Sequence, residues 1–235
     1  MIAAGARGYV TAAAVNLVMS AREDPQTRAA VLGATLAVPD GQPLVWALRA
    51  LGHARATRVY GPDLMAHFCA RAARAGTPIY LYGGRTPEAL ELLERRLRER
   101  FPGLRIAGGY SPPFRPLSAE EEDGVVAAID SSGAQVVWVG TGQPKQEKWM
   151  LAMRARLRAP LLVGVGAAFD FHAGLVSQAP GWMQRSGLEW AYRLSREPRR
   201  LWRRYARYNP LFVACFARQY INHRKRQRAA RRRRA

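Results

Sequence analysis

Four polar side chains, Gln143, Lys145, Gln146 and Glu147, cluster around Pro144 just after a short apolar run, Val136-Val137-Trp138-Val139. Only Gly140-Thr141-Gly142 separates the two. Glycines let a backbone approach a ligand closely, and a helix N-terminus offers N–H groups to an anion. A second apolar run, Leu161 to Gly166, ends in Ala167-Ala168-Phe169-Asp170. Glycine-rich strand ends, Gly83-Gly84 among them, occur in any α/β protein. Four polar residues at the end of a buried strand need a further reason, and ligand contact supplies one.

Asp40 stands in Val38-Pro39-Asp40-Gly41, directly after a brief apolar strand. A carboxylate there can serve as a general base, or it can simply shape a Pro-Asp-Gly turn. Arg58, before Tyr60-Gly61-Pro62-Asp63, reads either as a clamp for phosphate or carboxylate or as a surface arginine. Arg193, Arg200 and Arg203 are spaced by seven and three, which places them on one face of a continuous helix. Several guanidinium forks suit a diphosphate. No Asp-x-Asp triplet and no His/Cys cluster marks a metal site. The expected cofactor is therefore none, with arginines rather than a metal carrying any phosphate charge.

The elements that must position these groups alternate between strand and helix. Strand patterns end near Tyr9-Val10 and cover Leu36 to Val38, Pro78 to Tyr82, Leu104 to Ala107, Val136 to Val139 and Leu161 to Gly166. Helical patterns cover Ala12 to Ala21, Gln26 to Leu32, Pro43 to Leu51, Leu64 to Ala75, Pro87 to Phe101 and Ala119 to Ser131, with another around Trp149, Met150, Met153 and Leu157. This alternation predicts an α/β fold with a Rossmann-like parallel sheet and helices on both faces. Open sheets of that kind bind ligands at the carboxyl ends of their strands, where the polar clusters fall.

The chain has 235 residues and a net charge of +20. From Arg193 onward there are sixteen basic residues against one acid, Glu197, so the charge belongs to an appendage. Leu188 to Tyr208 places aromatic and aliphatic residues at helical spacing among arginines, ending at Asn209-Pro210. That is the pattern of an interfacial helix on an anionic bilayer. The polybasic tail Arg224 to Arg234 adds about 1 kcal/mol per cation near such a surface, although Arg231 to Arg234 alone reads as a solvated run. Nucleic acid is an unlikely partner, because no helix-turn-helix, zinc-finger or RNP-like pattern accompanies the charge. Cys69 and Cys215 have neither disulfide nor metal-ligand spacing. Val10 to Met19 is apolar, but a single early charge, Arg7, and the interrupting Asn16 argue against a signal peptide. The expected organisation is a core over 1–187 and a basic, membrane-docking helical appendage over 188–235.

Read together, several motifs resemble the WecG/TagA/CpsF glycosyltransferases of bacterial surface-polysaccharide assembly. They include Pro39-Asp40-Gly41, Arg58 with Gly61-Pro62-Asp63-Leu64, Gly83-Gly84, Ser111-Pro112-Pro113-Phe114, and Gly142-Gln143-Pro144-Lys145-Gln146-Glu147-Lys148-Trp149. Val165 to Phe171, Ala179 to Met183, Gly187-Leu188-Glu189-Trp190 with Arg193, Glu197-Pro198 and Arg203-Arg204-Tyr205 continue the series in the family's order. The resemblance implies an inverting, metal-independent transferase. Such an enzyme moves a sugar from a UDP-sugar to a polyprenyl-diphosphate-linked saccharide, peripherally, at the cytoplasmic face of the inner membrane. It implies Asp40 as base, and Arg58 and Gln146 in the donor site. The donor set expected here is Arg58, Gly83, Gly84, Gln143, Lys145, Gln146, Glu147 and Asp170. Arg193, Arg200 and Arg203 are expected on the acceptor or diphosphate.

The chain departs from the family pattern in two places. Ala12 and Ala14 occupy positions where the family has Thr and Asn, with Thr11 and Asn16 nearby but out of register. Family members also carry a strand and helix before the first strand seen here, so either the start is misassigned or the sheet lacks an edge. The alternative reading is a noncatalytic, membrane-associated nucleotide-sugar binder, which the two alanines favour.

Overall fold

The structure, a computed structural model, describes residues 6–232. Six strands form one sheet: β1 (Gly8–Ala13), β2 (Leu36–Pro39), β3 (Ile79–Gly83), β4 (Ile106–Tyr110), β5 (Val136–Gly140) and β6 (Leu161–Gly164). Their order is β2-β1-β6-β5-β3-β4, and the pairs β1–β6, β6–β5, β5–β3 and β3–β4 are all parallel. At the β2 edge, Thr35 donates to the Tyr9 carbonyl and Asp40 to the Ala13 carbonyl, both rising with the chain. With helices between the strands this is a Rossmann-like α/β fold.

Strand side chains alternate between two apolar cores, as a period of two requires. Ile79, Leu81, Val136, Trp138 and Val163 enter one core. Tyr80, Tyr82, Val137, Val139 and Leu162 enter the other. Burial on both faces explains why these strands read as continuous apolar runs rather than as alternating ones.

The helices are α1 (Val15–Glu23), α2 (Pro25–Leu32), α3 (Gln42–Ala50), α4 (Gly61–Ala75), α5 (Pro87–Arg100) and α6 (Ala119–Ser131). They continue with α7 (Lys145–Met153), α8 (Ala168–His172), α9 (Gly181–Arg185), α10 (Glu189–Arg196) and α11 (Pro198–Arg232). Their starts follow local chemistry. Asp24 accepts from the N–H groups of Gln26 and Thr27 at α2, Thr86 from Ala89 at α5, and Ser118 forms a capping box with Glu121 at α6.

Two expectations change. The helix expected from Ala12 begins only at Val15, because β1 runs on to Ala13 and pairs Thr11 with Gly164. The helix expected over Leu188 to Tyr208 breaks earlier and later than its pattern suggests. It ends at Arg196, since Glu197 precedes a proline and is pushed out of the helical region. Pro198 then opens α11, which runs through Pro210 without ending. Proline is suited to a first turn, where its missing N–H costs nothing. At Pro210 one backbone bond is forgone while the helix continues on both sides. Arg233 and Arg234, the end of the expected polybasic tail, lie outside the described residues.

The chain forms two compact units. The first comprises 1–12, 24–38 and 59–178, and holds nearly all of the sheet; the second comprises 13–23, 39–58 and 179–235. Within the second, α11 packs along α1. Arg207 pairs with Glu23 at 2.9 Å, and the Tyr208 hydroxyl lies 3.3 Å from Ser20 Oγ and 3.2 Å from Glu23. Among the described residues no helix is long and apolar enough to cross a membrane.

Candidate functional site

The first unit concentrates its polar chemistry at the carboxyl ends of β1, β3, β5 and β6. Gln146 and Glu147 are fully buried in the first turn of α7. Glu147 Oε1 accepts from the Thr11 hydroxyl at 2.7 Å and from Gln146 Nε2 at 2.8 Å. Gln146 Oε1 and Glu147 Oε2 have no hydrogen-bond partner among the described residues. Burial raises the Glu147 pKa above the usual carboxylate range, while the bonds from Thr11 and Gln146 act against the rise. Gln143, whose peptide bond to Pro144 is cis, turns its amide onto the Ala12 carbonyl at the end of β1. Lys145 is exposed at the start of α7.

Gly83 ends β3 opposite Gly140 of β5, with φ at +137°. A Cβ there would come within 2.6 Å of the Gly140 carbonyl carbon, and a Cβ on Gly140 would strike the Phe169 ring at 2.5 Å. The strand ends therefore approach one another, and α8, only because side chains are missing. Gly84 follows, and then Arg85, which the sequence reading passed over. Arg85 holds Asp170 of α8 through Nε at 3.0 Å and a terminal nitrogen at 2.8 Å, both to Oδ2. Asp170 is thus an anchor for a guanidinium at the sheet's carboxyl edge. Arg85 directly follows the flagged glycines, but nothing in the sequence pairs residues 85 apart.

The second unit holds Asp40 and Arg58. The Asp40 backbone is fixed from both sides. Its N–H donates to the Ala13 carbonyl at 2.8 Å, and its own carbonyl accepts from Arg58 Nε. Its carboxylate is a quarter exposed and lies 3.9 Å from the Arg58 guanidinium. Arg58 engages Glu189 more closely and also donates to Gln184 at 3.1 Å. One arginine thereby ties the turn after β2 to α9 and α10. No local sequence pattern marks Glu189 and Gln184 as site residues, because their role depends on this long-range convergence.

The three expected diphosphate arginines do not share one helix. Arg193 is on α10, whereas Arg200 and Arg203 are on α11 beyond the Glu197-Pro198 break. Arg200 is exposed and pairs with Glu197, three residues earlier. Arg203 is exposed with its guanidinium over the Trp202 ring. Arg204, next in the chain, is half-buried. Desolvation lowers its pKa first of all, and Arg193 and Arg200 act in the same direction, so these three cations lie close together. Among the described residues no group of three or more His, Cys, Asp and Glu is arranged to hold a metal ion.

The first unit thus offers a buried polar network and an anchored arginine beside glycines at its strand ends, and the second offers an accessible carboxylate on a clamped turn. Comparison with known protein families supplies the wider identity. Residues 1–226 match the family described as glycosyl transferase WecG/TagA/CpsF, and the chain therefore belongs to that family of glycosyltransferases.

Proposed function

We propose that this glycosyltransferase is inverting and metal-independent, and acts in bacterial exopolysaccharide, teichoic acid or surface-antigen synthesis. It moves N-acetylmannosamine, glucose or a related hexose from a UDP-sugar to a polyprenyl-diphosphate-linked saccharide. The observation that carries the reading is Asp40. General-base catalysis needs a carboxylate that is accessible yet held on a rigid backbone. Asp40 has backbone bonds on both sides and a partly exposed carboxylate. It would take the proton of the acceptor hydroxyl. The resulting oxygen attacks the anomeric carbon, the bond from that carbon to the β-phosphate oxygen breaks, and UDP departs with the electron pair and inversion of configuration. Guanidinium groups and backbone N–H groups stabilise the charge on leaving UDP.

The acceptor's lipid fits the character of the second unit. Its four tryptophans, Trp46, Trp182, Trp190 and Trp202, are each at least 40 % exposed, and α11 carries a dense run of arginines. Indole rings and cations together favour the interface of an anionic membrane. This supports a peripheral location at the cytoplasmic face of the inner membrane.

The test is UDP release by purified protein in detergent, supplied with a panel of UDP-sugars, a short-chain polyprenyl-diphosphate sugar, and EDTA. Release with one donor that depends on acceptor and is lost in Asp40→Asn is the expected result. Full transfer by Asp40→Asn would overturn the role of Asp40. Binding of a UDP-sugar without any release would favour the noncatalytic binder. That second reading draws on Ala12, whose buried methyl group at the end of β1 has no polar atom to offer a sugar.

A further inference from the structure

Arg58 meets two carboxylates in the second unit and does not treat them alike. One terminal nitrogen hydrogen-bonds Glu189. The same nitrogen lies 3.9 Å from Asp40 Oδ1, beyond hydrogen-bond reach. The other terminal nitrogen donates to Gln184 Oε1 at 3.1 Å, and Nε donates to the Asp40 carbonyl. Gln184 is itself fixed, because its amide nitrogen donates to the Ala179 carbonyl at 2.9 Å and so turns its oxygen toward Arg58. Three acceptors hold the fork, and the Asp40 carboxylate stands apart from them.

That separation matters for a base. A general base needs a lone pair open to the incoming proton. A guanidinium closing on a carboxylate covers both oxygens and favours the ionised form. An anion bonded to the guanidinium cancels much of its field and holds it back. The Arg58–Glu189 pair is largely buried, so the two charges act on their surroundings with little screening. The second unit offers no substitute for Glu189. Its remaining acids besides Asp40 are Glu23 and Glu197, which pair with Arg207 and Arg200. The other charges on the neighbouring helices are cations: Arg22 on α1, Arg49 on α3, Arg185 on α9, and Arg193 and Arg196 on α10.

We propose that Glu189 is a positioning residue for the transfer: it holds the Arg58 guanidinium back from Asp40, so that the carboxylate stays open to the acceptor hydroxyl. This role rests on the reading of Asp40 as the base, and sharpens it. Arg58 builds the turn through its bond to the Asp40 carbonyl. Glu189 keeps the same side chain from disabling the carboxylate that the turn presents.

The test is steady-state kinetics of the full chain in detergent, with a short-chain polyprenyl-diphosphate sugar as acceptor. The donor is whichever of UDP-glucose, UDP-N-acetylglucosamine and UDP-N-acetylmannosamine the wild type turns over. Glu189→Gln keeps an acceptor for Arg58 and removes only the charge. It should lower kcat about tenfold and leave KM for the UDP-sugar within about twofold. The acid limb of its kcat–pH profile should move about one unit to lower pH, because an uncompensated cation then faces Asp40. Glu189→Asp, which restores the charge, should recover most of kcat and return the limb. Gln184→Glu adds a second anion to the same fork and should move the limb the other way, which keeps the test open even if Glu189→Gln fails to fold. Against the residual rate of Asp40→Asn, adding Glu189→Gln should cost nothing further. Wild-type kcat and an unmoved limb in these charge variants, with Asp40→Asn still impaired, would overturn the proposal and leave Glu189 a structural partner of Arg58. A full further loss in the Asp40→Asn background would overturn it as well. Full transfer by Asp40→Asn, or no transfer by the wild type, would instead remove the base and the role of Glu189 with it, an outcome distinct from the other two.

Discussion

The two compact units differ in how they use polar residues. The sheet-bearing unit has 16 basic and 13 acidic residues, and the other has 21 and 4. The first unit also buries its polar chemistry. Thr11, Gln146 and Glu147 are closed to solvent, and Asp170 is nearly so. Its two tryptophans are packed, Trp138 in the core and Trp149 stacked on Tyr82 at 3.9 Å. The second unit puts most of its cations and all four of its tryptophans at the surface. A buried polar network is suited to reading one small ligand. A surface of cations and indoles is suited to a broad anionic one. The two kinds of surface lie in different compact units.

The sharpest way to break this comparison is Asp40→Asn. If Asp40 is the base, turnover should fall by about 10²- to 10⁴-fold. UDP-sugar affinity, carried mostly by first-unit residues in the expected donor set, should be unchanged when measured by calorimetry. A matching loss of affinity would mean that the division of labour is wrong.

Charge removal gives the next largest effect. Replacing Arg224, Lys225, Arg226 and Arg228 with glutamine should weaken binding to anionic vesicles by up to about 4 kcal/mol, and added salt should erase the difference. Arg95, Arg96, Arg98 and Arg100 of α5 are exposed as well. The same four-charge change there should leave vesicle binding almost untouched in a flotation assay. Equal losses from both quadruple variants would reduce the contrast to net charge alone.

Arg58→Leu should act on stability. It strands Glu189, whose side chain is only 18 % exposed, and releases the carbonyl of Asp40. The expected loss is about 2 kcal/mol in a denaturant titration. Arg58→Lys should recover little, because an ammonium cannot reach three acceptors as the planar fork does. Full recovery by lysine would show that charge, not geometry, joins these elements.

These outcomes bear on what a sequence can disclose. The parallel sheet was legible because strands buried on both faces leave continuous apolar runs, such as Val136 to Val139. The motif positions at strand ends were legible too, since glycines and polar residues interrupt those runs abruptly. Three things were not. Ala12 and Ala13 have helical propensity, yet β1 carries them on as strand, with the Ala13 carbonyl accepting from the Asp40 N–H. The spacing of Arg193, Arg200 and Arg203 assumed one helix, and Pro198 intervenes. The partners of Arg85 and Arg58, namely Asp170, Gln184 and Glu189, lie 85 to 131 residues away, and local pattern has no means of expressing such pairings.

The smallest predicted effect concerns Glu147, and its sign is definite. Burial raises the Glu147 pKa in the folded protein above its ordinary 4.5. The folded state therefore keeps the proton over a range in which the unfolded chain has lost it. The stability associated with that proton is fully present below the ordinary value and is lost as pH rises through the raised one. Glu147→Gln keeps an acceptor for Thr11 and Gln146 and has no proton to lose. Its stability relative to wild type should therefore grow as pH rises, by about 1 kcal/mol for each unit of raised pKa crossed. Denaturant midpoints of both proteins from roughly pH 5 to 8 measure this directly. Glu121, in the same compact unit, is the contrasting case: its carboxyl is held down to about 2 by the Arg115 guanidinium at the surface. Replacing it should give no trend over that range, because it is ionised throughout in both states. A flat difference for Glu147→Gln as well would mean that the carboxyl titrates as if exposed. The buried network would then be open to water, and the contrast between the two units would lose its clearest member.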